Sequence, residues 1–147
     1  MVKSDEIVVK FITPQGFNAT IKASSVQVKT ALGYIEILKN HAPLVALLKP
    51  GKLKIAQSGG EKASTFFYIE QSGVIEVFKN NVTVLADNGF YGSDLDEEAL
   101  KRSEKELRKN LESNCTTALT KTLNDLNEVN EKLKIVEEIR DEATRGT

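Results

Sequence analysis

The sequence predicts an all-β N-terminal sandwich or flattened barrel followed by an antiparallel α-helical hairpin. Two observations carry that expectation. Composition breaks near Tyr91: all six Phe, all three Pro and seven of the nine Gly precede it, whereas residues 93–145 hold no Gly, Pro or aromatic residue. Hydrophobic periodicity changes at the same place, from alternation every second residue to spacings of three and four. The expected division is therefore a sandwich at 1–90 and a hairpin at 91–147.

The first part reads in strands. Ile7, Val9 and Phe11 alternate with Val8, Lys10 and Ile12 before the turn Pro14-Gln15-Gly16. Phe17, Ala19 and Ile21 alternate with Asn18, Thr20 and Lys22, and Val26 and Val28 continue the pattern. Further strands are expected at Tyr34–Leu38, Lys52–Ala56, Ala63–Glu70, Val74–Phe78 and Val82–Ala86. Their breaks are Pro50-Gly51, Ser58-Gly59-Gly60, Gly73 and Asn80-Asn81. The asparagine pair suits a tight hairpin because Asn tolerates positive φ. Eight or more short strands at this spacing can hide their apolar faces between two layers.

The second part reads in helices. Ser93 or Asp94 is the expected cap of a first helix over about Asp96–Ser113, with Asp96, Glu97 and Glu98 where the macrodipole favours anions. Its apolar line is thin, running from Leu100 through Leu107 to Leu111. A turn at Ser113-Asn114-Cys115-Thr116 precedes a second helix carrying Leu119, Thr122, Leu126, Val129, Leu133 and Val136, widened by Leu123 and Ile139. Neither helix buries its stripe alone, so the pair must dock on the sandwich or on a partner. The expected docking face comprises Leu100, Leu107, Leu119, Leu126, Val129 and Leu133. Thin burial makes undocking inexpensive, within reach of a partner's compensation.

Composition narrows the function. A net charge of −1 in 147 residues removes the electrostatic case for nucleic acid. No apolar stretch approaches the roughly 20 residues that span a bilayer, so direct membrane insertion is not expected. The opening MVKSDEIVVKF is too polar and too soon strand-like for a signal peptide. A single cysteine, Cys115, excludes an internal disulfide and a cysteine-cluster zinc site. The cytoplasm is the expected compartment. No GxSxG, HExxH, Walker loop or GxGxxG occurs. The lone histidine, His41, lies in the turn-like string KNHAPL with no local partner for general-base work. A turn or interface residue is its expected role, with no cofactor, no metal and no catalysis.

The strings themselves then suggest a family. Ser25–Leu44, SVQVKTALGYIEILKNHAPL, together with Leu48–Ile55, LKPGKLKI, and Tyr68–Asp87, YIEQSGVIEVFKNNVTVLAD, resembles the epsilon subunit of F-type ATP synthase (delta in mitochondria). Asp94–Glu97, DLDE, is similar to the start of that family's first C-terminal helix, and the match runs from about Ile7 to Leu126. The resemblance implies a ten-stranded sandwich with a helical hairpin. It implies a place in the rotor's central stalk, bound to the gamma subunit and seated on the c-ring, at the cytoplasmic side of the bacterial inner membrane. Such a subunit couples gamma to the ring in proton-driven ATP synthesis and catalyses nothing itself. Tyr34, Glu36, His41 and Leu44 are the implied gamma or c-ring contacts. The hairpin of family members also reaches the alpha and beta subunits and restrains ATP hydrolysis.

Four departures bear on the details. Lys29 and Thr30 replace the family's Pro-Gly, and Tyr34 stands where an acidic residue commonly faces the ring. Leu95-Asp96-Glu97-Glu98-Ala99 lacks the arginine of the family's ATP-contacting pattern, so tight ATP binding is not expected. Residues 117–145 carry five Lys/Arg against seven Asp/Glu, a poor match for an acidic partner surface, so charge-driven inhibition is expected to be weak or absent. Outside this family the alternative reading is a free-standing sandwich whose hairpin captures another helix.

Overall fold

The computed structural model describes residues 6–57, 64–113 and 119–145. The turns expected at Ser58-Gly59-Gly60 and around Asn114-Cys115-Thr116 lie outside those residues. Among the described residues, alternation of apolar and polar side chains yields eight strands: β1 (Ile7–Ile12), β2 (Asn18–Thr30), β3 (Gly33–Leu38), β4 (Leu44–Gln57), β5 (Ser64–Ile69), β6 (Gly73–Phe78), β7 (Asn81–Ala86) and β8 (Gly89–Tyr91).

Two of these strands serve both layers. The first half of β2 pairs with β1, and its second half lies between β3 and β4. Register shifts between Ala23 and Ser25 and between Val28 and Thr30 let β2 bend. β4 pairs with β6 through Leu44–Leu48 and with β5 through Gly51–Ala56. Between the two ladders sits Pro50, which has no N–H to give to either. The layers are thus β2-β1-β7-β6-β4 and β3-β2-β4-β5-β8. Eight continuous strands fill the ten-stranded plan because β2 and β4 each count twice.

The layers meet over Ile7, Val9 and Phe11 of β1, Val26 and Val28 of β2, Leu53 and Ile55 of β4, and the inward residues of β6 and β7. Phe11 stacks on Phe67 with centroids 4.8 Å apart, and Phe17 meets both rings edge-on. Each such side chain contributes about 1.5–3 kcal/mol by leaving water, so this core dominates the stability of the sandwich.

The tight hairpin between β6 and β7 falls one residue earlier than the sequence predicts. Its two central residues are Lys79 (φ 47°) and Asn80 (φ 64°), while Asn81 already pairs with Phe78 in the ladder. Two left-handed residues give the turn whose twist matches the flanking strands. Asn80 also receives the backbone N–H of Asn40 at 2.6 Å and donates its own amide to the Asn40 side chain at 3.3 Å.

After β8, Gly92–Asp94 makes one 3₁₀ turn and Leu95 is extended. The cap of α1 (Glu97–Ser113) is consequently Asp96 rather than Ser93 or Asp94, which that turn takes up. Asp96 Oδ1 accepts the backbone N–H groups of Glu98 at 3.0 Å and Ala99 at 3.4 Å. α2 (Leu119–Arg145) packs along α1 and crosses the outer face of the β3-β2-β4-β5-β8 layer.

Candidate functional site

The structure presents two surfaces with functional character: the seam beneath α2 and the open face of the opposite layer. The seam begins with β5, whose Phe66-Phe67-Tyr68-Ile69 run is buried on both sides. Phe67 and Ile69 enter the main core, whereas Phe66 and Tyr68 point outward and form a second cluster with Ile135 of α2. Ile135 is 0% exposed, and Phe90, Leu95 and Ile139 close its edges. Gly92 makes room for it, since a Cβ there would stand 2.8 Å from Ile135 Cγ2 and 2.8 Å from Phe66 Cβ.

Charges frame this apolar centre. Lys54 and Lys52 lie opposite Phe66 and Tyr68 in the β4–β5 ladder and share their outward face. Glu131 accepts hydrogen bonds from Lys29 Nζ at 3.4 Å and from the Tyr34 hydroxyl at 2.8 Å. Glu138 pairs with Lys52 and, at 3.6 Å, with Lys54. Glu142 pairs with Lys54 at 3.3 Å and accepts the Ser64 backbone N–H at 3.0 Å. Spacings of seven and four put the three carboxylates on one face of α2. Lys132 lies over the Tyr68 and Phe90 rings, 4.9 and 5.2 Å from their centroids, and pairs with Glu128 at 2.8 Å. Arg140 meets Glu97, tying the two helices together.

The ionisations follow from these contacts. Burial, and then Glu131, holds the Tyr34 hydroxyl above the usual phenol range. Burial, followed by the charges of Glu128 and Glu131, does the same for Tyr68. Both phenols therefore remain donors. Burial pushes the Glu142 carboxyl up, but the Ser64 amide and Lys54 outweigh it and the net shift is downward. Arg140 first, and Lys101 second, hold the Glu97 carboxyl below the ordinary carboxylate range.

The residues singled out by sequence occupy distinct places. Leu100, Leu107, Leu126, Val129 and Leu133 are partly buried in the hairpin, and the Leu119 side chain lies outside the described residues. Sequence reasoning passed over Ile135 and the three glutamates. The available signal was the unalternating Phe66–Ile69 run, which requires cover on both faces. Tyr34 and Glu36 share the outer face of β3, Tyr34 at the rim of the seam and Glu36 exposed opposite Gln27. His41 follows the far end of β3. Its Nδ1 stands 2.7 Å from the Ala42 carbonyl oxygen, which only accepts, so Nδ1 carries the hydrogen. Leu44 packs against the core, and Val45 and Leu47 point the other way.

Those last two residues belong to the open face. Val45 and Leu47 are 71% and 70% exposed, and Phe78 and Leu85 are half exposed. Leu47 pairs with Val74, Val74 with Leu85, and Leu85 with Ile12, so one apolar row crosses four strands. It borders a groove of about 790 Å³ that also takes in Pro14 and Pro50. A continuous exposed apolar row of this kind marks an interaction surface. Among the described residues, no group of three His, Cys, Asp or Glu side chains could hold a metal ion. No described helix is long and apolar enough to cross a membrane.

Comparison with known proteins places this architecture. Residues 6–91 match the model of the beta-sandwich domain of the ATP synthase delta/epsilon chain. The ATP synthase epsilon chain of Halorhodospira halophila is 35% identical over 128 residues, covering 84% of this chain and 87% of that one. A chain of the Euglena gracilis mitochondrial ATP synthase assembly of OSCP, F1 and c-ring superposes with a TM-score of 0.70 at 16% identity, over 91% of this chain and 81% of that one. A chain of the Tetrahymena thermophila mitochondrial ATP synthase central stalk and c-ring gives 0.54 at 19% identity, over 94% and 99%. Two bent strands shared between layers, a hairpin laid on one face and a sandwich-wide family match lead to one assignment: the chain belongs to the ATP synthase delta/epsilon family.

Proposed function

We propose that the chain is a non-catalytic central-stalk subunit of an F-type ATP synthase. It binds the gamma subunit, sits on the c-ring and stays peripheral to the membrane, on the cytoplasmic side of the bacterial inner membrane. Residues 1–90 are its anchoring domain and 91–147 its helical domain. The observation that carries this reading is the open apolar row Leu47–Val74–Leu85–Ile12 on a member of this family. One layer is covered by the chain's own α2, and the other offers its outer face to a partner. A sandwich filled by large apolar side chains is stiff enough to pass torque between gamma and the ring without chemistry of its own.

His41 is the polar contact of the proposed interface and Leu44 supports Val45 and Leu47 from beneath, while Tyr34 and Glu36, on the outer face of the hairpin-covered layer, would make a separate contact with the ring. Glu131, Glu138 and Glu142 are engaged by the sandwich, which leaves α2 little to offer alpha or beta subunits. Binding of the cognate gamma subunit by full-length chain tests the reading. Val45→Glu and Leu47→Glu are surface changes that should leave the melting temperature in place and weaken gamma binding more than tenfold. Unchanged affinity in both variants would remove the open face from the interface.

A further inference from the structure

The seam beneath α2 joins a small apolar contact to an unusually ordered set of charges. Among the described residues, Ile135 is the one fully buried residue that α2 contributes. Around it, Glu131, Glu138 and Glu142 meet Lys29, Lys52 and Lys54 through half-buried pairs. We propose that these three glutamates form an electrostatic latch that fixes the register of α2 on the sheet and lets the hairpin lift away as ionic strength rises, while the sandwich stays folded.

The charge order along α2 explains the register. A slide of one turn in one direction would bring Asn127, Lys134 and Glu138 to the places of Glu131, Glu138 and Glu142. Lys134 would then face Lys52 and Lys54, and like charges would meet. The opposite slide would set Ile135 against Lys29 and the Tyr34 hydroxyl, leave Glu142 alone to serve Lys52 and Lys54, and bring Gly146 to the place of Glu142. Tyr34 adds directionality, because its hydroxyl donates to Glu131 and a residue without an acceptor there would leave it unpaired. Only the observed register satisfies all three lysines and the phenol together. Of the other charges near the seam, Lys132 pairs with Glu128 and Arg140 with Glu97 on α1, while Lys134 reaches Glu131 at 4.0 Å, a longer contact than the 3.4 Å that Lys29 makes.

Salt sensitivity follows from exposure. The paired side chains retain contact with water, so mobile ions reach them. The main core beneath is apolar and indifferent to screening. The latch is a property of the isolated chain and stands or falls independently of the rotor reading.

Thiol labelling of the full chain tests it. Ile135→Cys in a Cys115→Ser background keeps an apolar side chain in the seam, weakens docking less than Ala would and places a thiol accessible only when α2 lifts, so every comparison is made within this background; Val82→Cys in the same background reports opening of the sandwich. Raising NaCl from about 0.02 M to about 0.5 M shortens the screening length from roughly 20 Å to roughly 4 Å. This should speed labelling at 135 about tenfold and leave position 82 unchanged. Adding Glu131→Gln, Glu138→Gln and Glu142→Gln together should give fast labelling at low salt and abolish the salt dependence. Glu138→Lys should label faster still, and adding Lys52→Glu should slow it again. Salt-independent labelling at 135, equal acceleration at both positions, or no recovery on adding Lys52→Glu would each overturn the latch.

Discussion

Ile135→Ala separates the hairpin from the sandwich more cleanly than any other single change. Ile135 is fully buried, yet it belongs to a small cluster with Phe66 and Tyr68 and not to the main core. Truncating a buried Ile to Ala typically costs about 2–5 kcal/mol. The seam has few other apolar contacts and can collapse only partly, but it lies near the surface, so the lower part of the range applies, about 2–3 kcal/mol. At 1.4 kcal/mol per tenfold, the docking equilibrium should fall roughly 30- to 150-fold. Amide exchange measured segment by segment reads this directly. Residues 131–142 should lose that much protection, while β1 and β7, whose inward residues form the other cluster, keep theirs. Equal loss in β1 and β7 would show that hairpin and sandwich open as one unit, and no loss in α2 would show that Ile135 does not hold it. Either result would refute the reasoning.

Other consequences are smaller or more local. Gly92→Ala places a Cβ 2.8 Å from both Ile135 and Phe66, so α2 should undock while the sandwich's unfolding midpoint in urea changes little. In the β6–β7 turn, Lys79→Gly should stabilise the sandwich by about 0.5–1 kcal/mol, and Asn80→Val should destabilise it by about 1–2 kcal/mol, because both positions are left-handed. Chemical denaturation measures both. The Glu97 and Glu142 carboxyls are held below their ordinary value of 4.5 in the folded hairpin. The contribution of Glu97 to the pairing of the two helices and that of Glu142 to docking are therefore complete above that value and lost as pH falls through the lower folded values. Labelling at Ile135→Cys, divided at each pH by the rate of an exposed cysteine to remove the fall in thiolate, should be flat from about pH 7 to about pH 5.5 and rise below about pH 4.

The architecture was legible in sequence because it rests on short-range signals. The loss of Gly, Pro and aromatics after Tyr91 and Gly92, the alternation in Ile7–Ile12, and the three-and-four spacing after Leu119 each report a local geometry. What escaped was long-range or cooperative. Periodicity found only Lys52–Ala56 of β4, because Pro50-Gly51 looks locally like a break, and it did not disclose that β2 and β4 each pair in both layers, which only pairing across strands shows. The cap moved to Asp96 because the sequence does not disclose the intervening 3₁₀ turn. The seam was hidden for another reason. Glu131, Glu138 and Glu142 resemble the solvated charges of any exposed helix until Lys29, Lys52 and Lys54, some 80 to 100 residues earlier, are brought beneath them. The departure at Lys29 and Tyr34 was visible in sequence, but its use, a pair of donors to Glu131, was not.

The central claim is a stalk subunit whose open apolar face holds a partner while its own hairpin covers the other. Affinity purification of the tagged full chain from detergent-solubilised native membranes tests that claim most directly. The account predicts recovery of the gamma subunit and the c-ring with the rest of the synthase in constant proportion, and their loss when Val45→Glu and Leu47→Glu are introduced together. Recovery of the unsubstituted chain free of gamma and c subunits would contradict it.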